Sequence, residues 1–251
     1  MQEAPPVTCH SDSVAYRARL RSTGRVRSGA PLSSSIVSVH SMRTRVQLDL
    51  SLLPDATFFE SRSIFRTLPE SLEAALVSFP EAAERARSAA MFAESPDDKT
   101  EPWRAAAFLR AAVGELYSLP TAFSVDLGAR WRADPYGFGK SADPLLHLSL
   151  LLRHLSFHVS TLPVAKQEIQ TTWRDHSFPF NISVISDLTE SHVFRLREAR
   201  SNYDAATLRA ALRWFCESQK HWGAGYLFKI AVQRYCEAVM SRHPARQEHA
   251  S

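Results

Sequence analysis

The sequence predicts a mainly α-helical bundle with an N-terminal extension that contains either a short strand or an extended segment. Three long amphipathic segments carry this prediction: residues 143–163, a segment that begins at Thr100, and a segment that begins at Asp204. Each has apolar residues at helical spacing behind a residue that commonly caps helices. Strict alternation of apolar and polar residues is confined to short stretches, so helices are expected to dominate.

The central element is the helix predicted over residues 143–163. Asp143 caps its start, and Pro144 follows in the first turn, where its missing N–H costs nothing. Pro163 closes the segment because it disfavours the helical conformation of the residue before it. The predicted buried face consists of Leu145, Leu148, Leu151, Leu152, Leu155 and Val159.

The N-terminal part divides into a tail and an extension. Residues 1–45 combine many arginines with serine, glycine and proline, and their few large apolar residues predict a disordered basic tail. That tail is either an arm that adds phosphate affinity or a solvated segment with no role. Residues 46–92 are predicted as a mostly helical extension, in which the pattern TRVQLDLSLL alternates as a short strand or extended segment.

The remaining elements are predicted from local signals. Pro120 is expected to end or bend the helix that begins at Thr100. The run FPFNISVI beyond Trp173 predicts a hairpin or an extended segment, and Gly223 and Gly225 predict a kink or a division into two helices. The glycine-containing loop at residues 134–143 lacks the spacing of a phosphate-binding loop and is predicted to be an ordinary turn.

Composition limits the cellular setting. The chain has 251 residues, 45% of them hydrophobic, and a formal net charge of +4, which permits nucleic acid as a partner without requiring it. Its three cysteines show neither a disulfide framework nor the spacing of a zinc site. No run approaches the ~20 apolar residues of a membrane span. We expect a cytoplasmic protein with no membrane partner.

One group of polar residues on the central helix indicates chemistry. Arg153, His154 and His158 lie on an element that is otherwise rich in leucine. Arg242 and His249 have similar spacing in the predicted tail of residues 241–251, so spacing alone does not identify a site. Arg153, His154 and His158 are the better candidates because they lie on a predicted core helix.

The arginine, the polar residue that follows it and the nearby histidine resemble the signature of the HEPN family (higher eukaryotes and prokaryotes nucleotide-binding domains). The segments WRAAAFLRAAVGELYSL and LRWFCESQKHWG are similar to the first and last bundle helices of bacterial members. The resemblance covers roughly residues 90–240, and residues 93–240 are therefore expected to form a HEPN-like helical domain.

The resemblance implies a metal-independent endoribonuclease of toxin or phage-defence type that needs no cofactor. Arg153 would hold the phosphate, His158 would transfer protons, and His154, where the family often has asparagine or aspartate, would orient the site or carry a second proton. Implied partners are RNA, a second copy of the chain and an antitoxin or regulatory protein. The alternative is a non-catalytic HEPN-like module that binds a nucleotide, RNA or a protein.

Helical geometry constrains this site. In an unbroken helix, ~100° per residue places Arg153 and His158 about 140° apart, too far round for one phosphate. Either the helix is irregular at the motif, or Arg153 of one subunit serves His158 of the other. In the second case, the helix would pack against its twofold mate beside Leu151, Leu155 and Val159.

Two other interpretations of the histidines remain open. His147, His154 and His158 project within about 40° of one another and could begin a metal site, although the sequence has no HExxH pattern. They could instead form hydrogen bonds between packed helices.

Overall fold

The computed structural model describes residues 45–54, 68–94, 101–128, 137–158, 162–173 and 176–243, all within the unit Met42–Ser251. These residues are mainly α-helical and include a two-stranded antiparallel sheet, which confirms the predicted helical class. Most of the predicted tails, residues 1–45 and 241–251, lie outside the described residues. The elements are α1 (Glu70–Ala75), α2 (Pro80–Ala93), α3 (Pro102–Asp126), α4 (Pro144–His158), β1 (Val164–Trp173), β2 (His176–Ile185), α5 (Glu190–Val193), α6 (Arg197–Asn202), α7 (Ala205–Trp222) and α8 (Ala224–Met240).

Helix α2 packs closely against both α3 and α8. Its buried face is made of alanines, which let the neighbouring backbones approach. A Cβ added to Gly225 at the start of α8 would lie 1.9 Å from the carbonyl oxygen of Ala93, so glycine is needed at this crossing. Helix α2 also crosses the predicted division at residues 92 and 93 and belongs to the same core as α3 and α8.

Helix α3 continues through Pro120 to Asp126, so the proline does not end it. The side chain of Pro120 is buried, and the hydroxyl of Ser124 donates to its carbonyl oxygen at 2.8 Å. The carboxylate of Asp126 accepts hydrogen bonds from the backbone N–H groups of Glu81 and Ala82 at 3.2 and 2.9 Å, which caps the start of α2. The predicted cap Thr100 lies outside the described residues.

Helix α4 begins as predicted. The N–H of Leu145 donates to the Asp143 carboxylate at 2.9 Å, and Pro144 is the first helical residue. The second carboxylate oxygen of Asp143 accepts from Arg234 of α8 at 3.0 Å, which ties the start of α4 to that helix. Val159 lies outside the described residues. The other members of the predicted face are buried: Leu145, Leu148, Leu151, Leu152 and Leu155.

Strands β1 and β2 form a hairpin in which Val164 pairs with Ile185 and Trp173 with His176. The inner end of β2 is held by the buried amide of Gln219 on α7, which accepts from the N–H of Ile185 at 2.8 Å and donates to its carbonyl oxygen at 3.0 Å. The amide therefore takes the place of a third strand at this position.

Of the two alternatives predicted near residue 46, a short strand or an extended segment, the structure has the second. Val46 forms an isolated parallel bridge with Tyr203, and a 3-10 helix follows at Leu50–Leu52. The segment is extended but finds no neighbouring strand among the described residues. The prediction at the C-terminal glycines is confirmed, because Gly223 adopts φ 79° and separates α7 from α8.

Candidate functional site

The surface of α4 opens only in its C-terminal half. Residues 144–149 are buried where α4 packs against α3, α7 and α8. Farther along, Arg153 and His154 are half-buried, and Phe157 is exposed. Arg153 and His154, two of the three polar residues predicted to carry chemistry, therefore lie where this core helix reaches the surface.

The guanidinium of Arg153 contacts two aromatic rings. Its central carbon is 3.9 Å from the centroid of the Tyr117 ring and 5.3 Å from that of the Phe157 ring. Such cation–π contacts contribute ~0.5–2 kcal/mol, depending on how far the charge is desolvated. The buried Nε of Arg153 has no hydrogen-bond partner among the described residues. A buried charged donor without a partner is costly, and the two ring contacts offset part of that cost.

His154 approaches the same tyrosine. Its ring meets the Tyr117 ring edge-on, with the centroids 6.3 Å apart. Tyr117 therefore contacts both Arg153 and His154, although these two side chains are ~100° apart around α4.

His158 is the last residue of α4, and its side chain lies outside the described residues. The helix is continuous from Pro144 through His158, so the backbone is not broken at the motif. The angular separation of about 140° between Arg153 and His158 therefore holds for this chain.

His147 has a structural role. Its Nε2 donates to the carbonyl oxygen of Ser141 at 2.8 Å, and its Nδ1 accepts from the hydroxyl of Tyr203 at 2.9 Å. Burial lowers the pKa of His147 and raises the pKa of Tyr203 to about 12. Both ring nitrogens are engaged within the protein, so the three-histidine metal interpretation loses one of its ligands.

Tyr117 is the residue that sequence reasoning missed. It lies on the outer face of α3, away from the apolar stripe that predicted the helix. An aromatic residue on the solvent side of an amphipathic helix is the signal that could have identified it. The described part of the glycine-containing loop, residues 137–143, includes a 3-10 helix at Phe138–Lys140, and the buried Phe138 packs 4.7 Å from Tyr235, centroid to centroid.

The fold and the site define a mainly helical protein with a cationic and aromatic cluster where α3 and α4 meet. Comparison of the chain with protein-family models, curated proteins and solved structures gave no match. Across the described ranges, no three His, Cys, Asp or Glu side chains are grouped so that they could hold a metal ion. Nor does any helix there have the length and apolar character needed to cross a membrane.

Proposed function

We propose that this chain is a metal-independent endoribonuclease with a HEPN-like helical bundle, of toxin or phage-defence type. The observation that carries the proposal is the contact of the Arg153 guanidinium with two aromatic rings, one of which, Tyr117, also contacts His154. The aromatic contacts limit the rotation of a permanently charged side chain at the protein surface. Such a group can recognise one phosphate of an RNA chain.

Arginine and histidine suit cleavage through the 2′-hydroxyl of RNA. The reaction needs a base for the hydroxyl proton, an acid for the leaving 5′-oxygen and positive charge near the phosphorane. Arg153 supplies the charge in this proposal. His158 transfers protons, because histidine titrates near ~6.5. His154 orients the site or carries a second proton.

A composite site in a homodimer fits the unbroken α4. Arg153 and His158 of one chain are too far apart around the helix to act on one phosphate, but residues of two chains could do so across a twofold axis. Leu151 and Leu155 belong to the core of their own chain and are not free for this contact. A second copy would instead meet the C-terminal end of α4, where His158 lies.

Mixing two inactive variants tests the composite site. Arg153→Ala and His158→Ala proteins, once light scattering has established a dimer with exchanging subunits, should together regain part of the parent activity. One of the two sites in a mixed dimer then holds both residues. A monomeric active enzyme, or no recovery after proven exchange, would contradict the composite site.

A non-catalytic interaction module is the second candidate. The same contacts of Arg153 with Tyr117 and Phe157 favour this candidate. A guanidinium whose rotation is limited by two rings can bind a nucleotide, RNA or an acidic protein surface without any proton transfer. A regulatory protein or antitoxin is a suitable partner for such a surface.

Incubation of the purified protein with mixed RNA in EDTA separates the two candidates. The proposed enzyme cleaves RNA under these conditions and leaves DNA of the same sequence intact, because DNA lacks the 2′-hydroxyl. Intact RNA at high protein concentration would reject the nuclease and leave the interaction module.

A further inference from the structure

Exposed aromatic side chains are concentrated on one part of the molecule. The described residues include four, Trp103, Phe108, Tyr117 and Phe157, and all of them lie on α3 or α4. Phe108 turns towards α2, where it packs 5.9 Å from Phe92. The other three are 68% (Trp103), 41% (Tyr117) and 52% (Phe157) exposed. Three exposed rings on two adjoining helices form a candidate contact surface for a partner.

Trp103 and Tyr117 share one face of α3. They are two heptads apart, and each heptad turns the direction of a side chain by only ~20° in a straight helix. Arg110 lies one heptad from each of them. Phe157 joins this face from α4, because its ring edge lies 3.9 Å from the position of a Cβ added to Gly114.

Arginines accompany the rings along this face. The guanidinium of Arg104 lies 5.7 Å from the Trp103 ring centroid, Arg110 is half-buried between the two ends, and Arg153 covers Tyr117. The acidic residues of α3 face elsewhere: Glu115 pairs with Arg85 of α2 at 3.0 Å, and Asp126 caps that helix. The face is therefore cationic as well as aromatic.

We propose that this face is a stacking platform for single-stranded nucleic acid, which leads an RNA strand along α3 to Arg153. The part of this proposal in which the strand leads to Arg153 rests on the proposed function. The rise from Trp103 to Tyr117 is about 21 Å along the helix axis, which suits a strand of about four nucleotides. Bases stack on the rings, and the arginines contact the phosphates.

The chemistry of the face favours nucleic acid over a second copy of the chain. A twofold contact between two copies is isologous, so a residue near its centre faces the same residue of the other chain. Here Arg110 lies between the two aromatic ends, and a second copy would place like charges against it. A nucleic-acid strand provides flat bases for the rings and negative charge for the arginines.

Binding of a labelled oligothymidylate about ten nucleotides long tests the platform. DNA cannot be cleaved through a 2′-hydroxyl, so binding is measured whether or not the protein is a ribonuclease. Trp103→Ala should weaken binding at least about fivefold, while Trp103→Phe should keep most of it. Arg110→Ala should reduce the slope of log K against log salt concentration by ~0.7. Met91→Ala, at an exposed position on α2, serves as the matched control and should bind like the parent.

The platform would be overturned if the parent failed to bind the oligonucleotide at low salt, if Trp103→Ala bound like the parent, or if Met91→Ala weakened binding equally. A dimer that dissociates in Trp103→Ala without loss of affinity would assign the face to subunit contact instead. RNA cleavage that persists without this binding pattern would reject the platform and leave the proposed function standing.

Discussion

The guanidinium carbon of Arg153 lies 3.9 Å from the centroid of the Tyr117 ring, on the outer surface of two packed helices. This contact links a charged residue of α4 to a face of α3 that does not belong to the core. We therefore expect Tyr117 to have a positioning role for Arg153.

Substitution of Tyr117 tests that role. Tyr117→Phe should cleave RNA about as well as the parent, since the ring remains, whereas Tyr117→Leu should be about fivefold slower because a cation–π contact of ~1 kcal/mol is lost. Phe108→Leu removes an exposed ring of α3 outside the cluster and should leave the rate unchanged. Equal rates for Tyr117→Leu and the parent would reject the positioning role.

The crossing of α2 and α8 should not tolerate a side chain at Gly225. Gly225→Ala places a Cβ against the carbonyl oxygen of Ala93 and should lower the free energy of unfolding by ~1–3 kcal/mol. Gly139→Ala meets no atom within 4 Å among the described residues and should be nearly neutral. Urea unfolding of both variants measures the difference. Equal stability would place the two helices farther apart than described here.

Gln219 should be needed to hold the hairpin on α7. Gln219→Leu leaves the N–H and C=O of Ile185 without partners and should cost ~2–4 kcal/mol of unfolding free energy. Gln167 makes a single exposed hydrogen bond from β1 to the carbonyl oxygen of Lys220, so Gln167→Leu should cost less than ~1 kcal/mol. Chemical denaturation compares the two, and similar losses would contradict a special role for Gln219.

His147 should make folding sensitive to acid. Burial lowers its pKa in the folded protein, while the Ser141 carbonyl and the Asp143 carboxylate oppose that shift. The unfolded chain therefore binds the proton more readily, and stability should fall as pH drops below the ordinary histidine pKa of ~6.5, until the lowered folded-state pKa is reached.

Replacement of His147 measures this contribution. His147→Gln should show a shallower loss of unfolding free energy between pH 7.5 and pH 5 than the parent, because one titrating group is gone. His221→Gln, at an exposed position on α7, should keep the parental slope. An unchanged slope in His147→Gln would show that other groups cause the acid sensitivity.

Sequence reasoning succeeded where the signal was local. The start of α4 follows from Asp143 and Pro144, and the division between α7 and α8 follows from Gly223, since neighbouring residues determine both. Pro120 is expected from the sequence to end or bend α3. The helix instead continues through this buried residue, because tertiary packing outweighs the local preference.

The sequence alone predicts only part of the candidate site. Arg153 and His154 could be selected because polar residues are conspicuous on a leucine-rich helix. Tyr117 could not, since its place beside them depends on how α3 crosses α4, which no local pattern encodes. The role of His147 likewise depends on Tyr203, which lies 56 positions away in the sequence.

The rate of RNA cleavage in EDTA by the parent, Arg153→Ala and His158→Ala tests the central claim most directly. The parent should cleave, and each variant should lose a transition-state interaction worth ~3 kcal/mol or more, which slows cleavage by at least about a hundredfold. Circular dichroism should show that both variants keep the helical fold, and Met91→Ala, purified in parallel, should cleave like the parent and exclude a contaminating nuclease as the source of any difference. Parental rates in folded Arg153→Ala or His158→Ala protein would contradict the account.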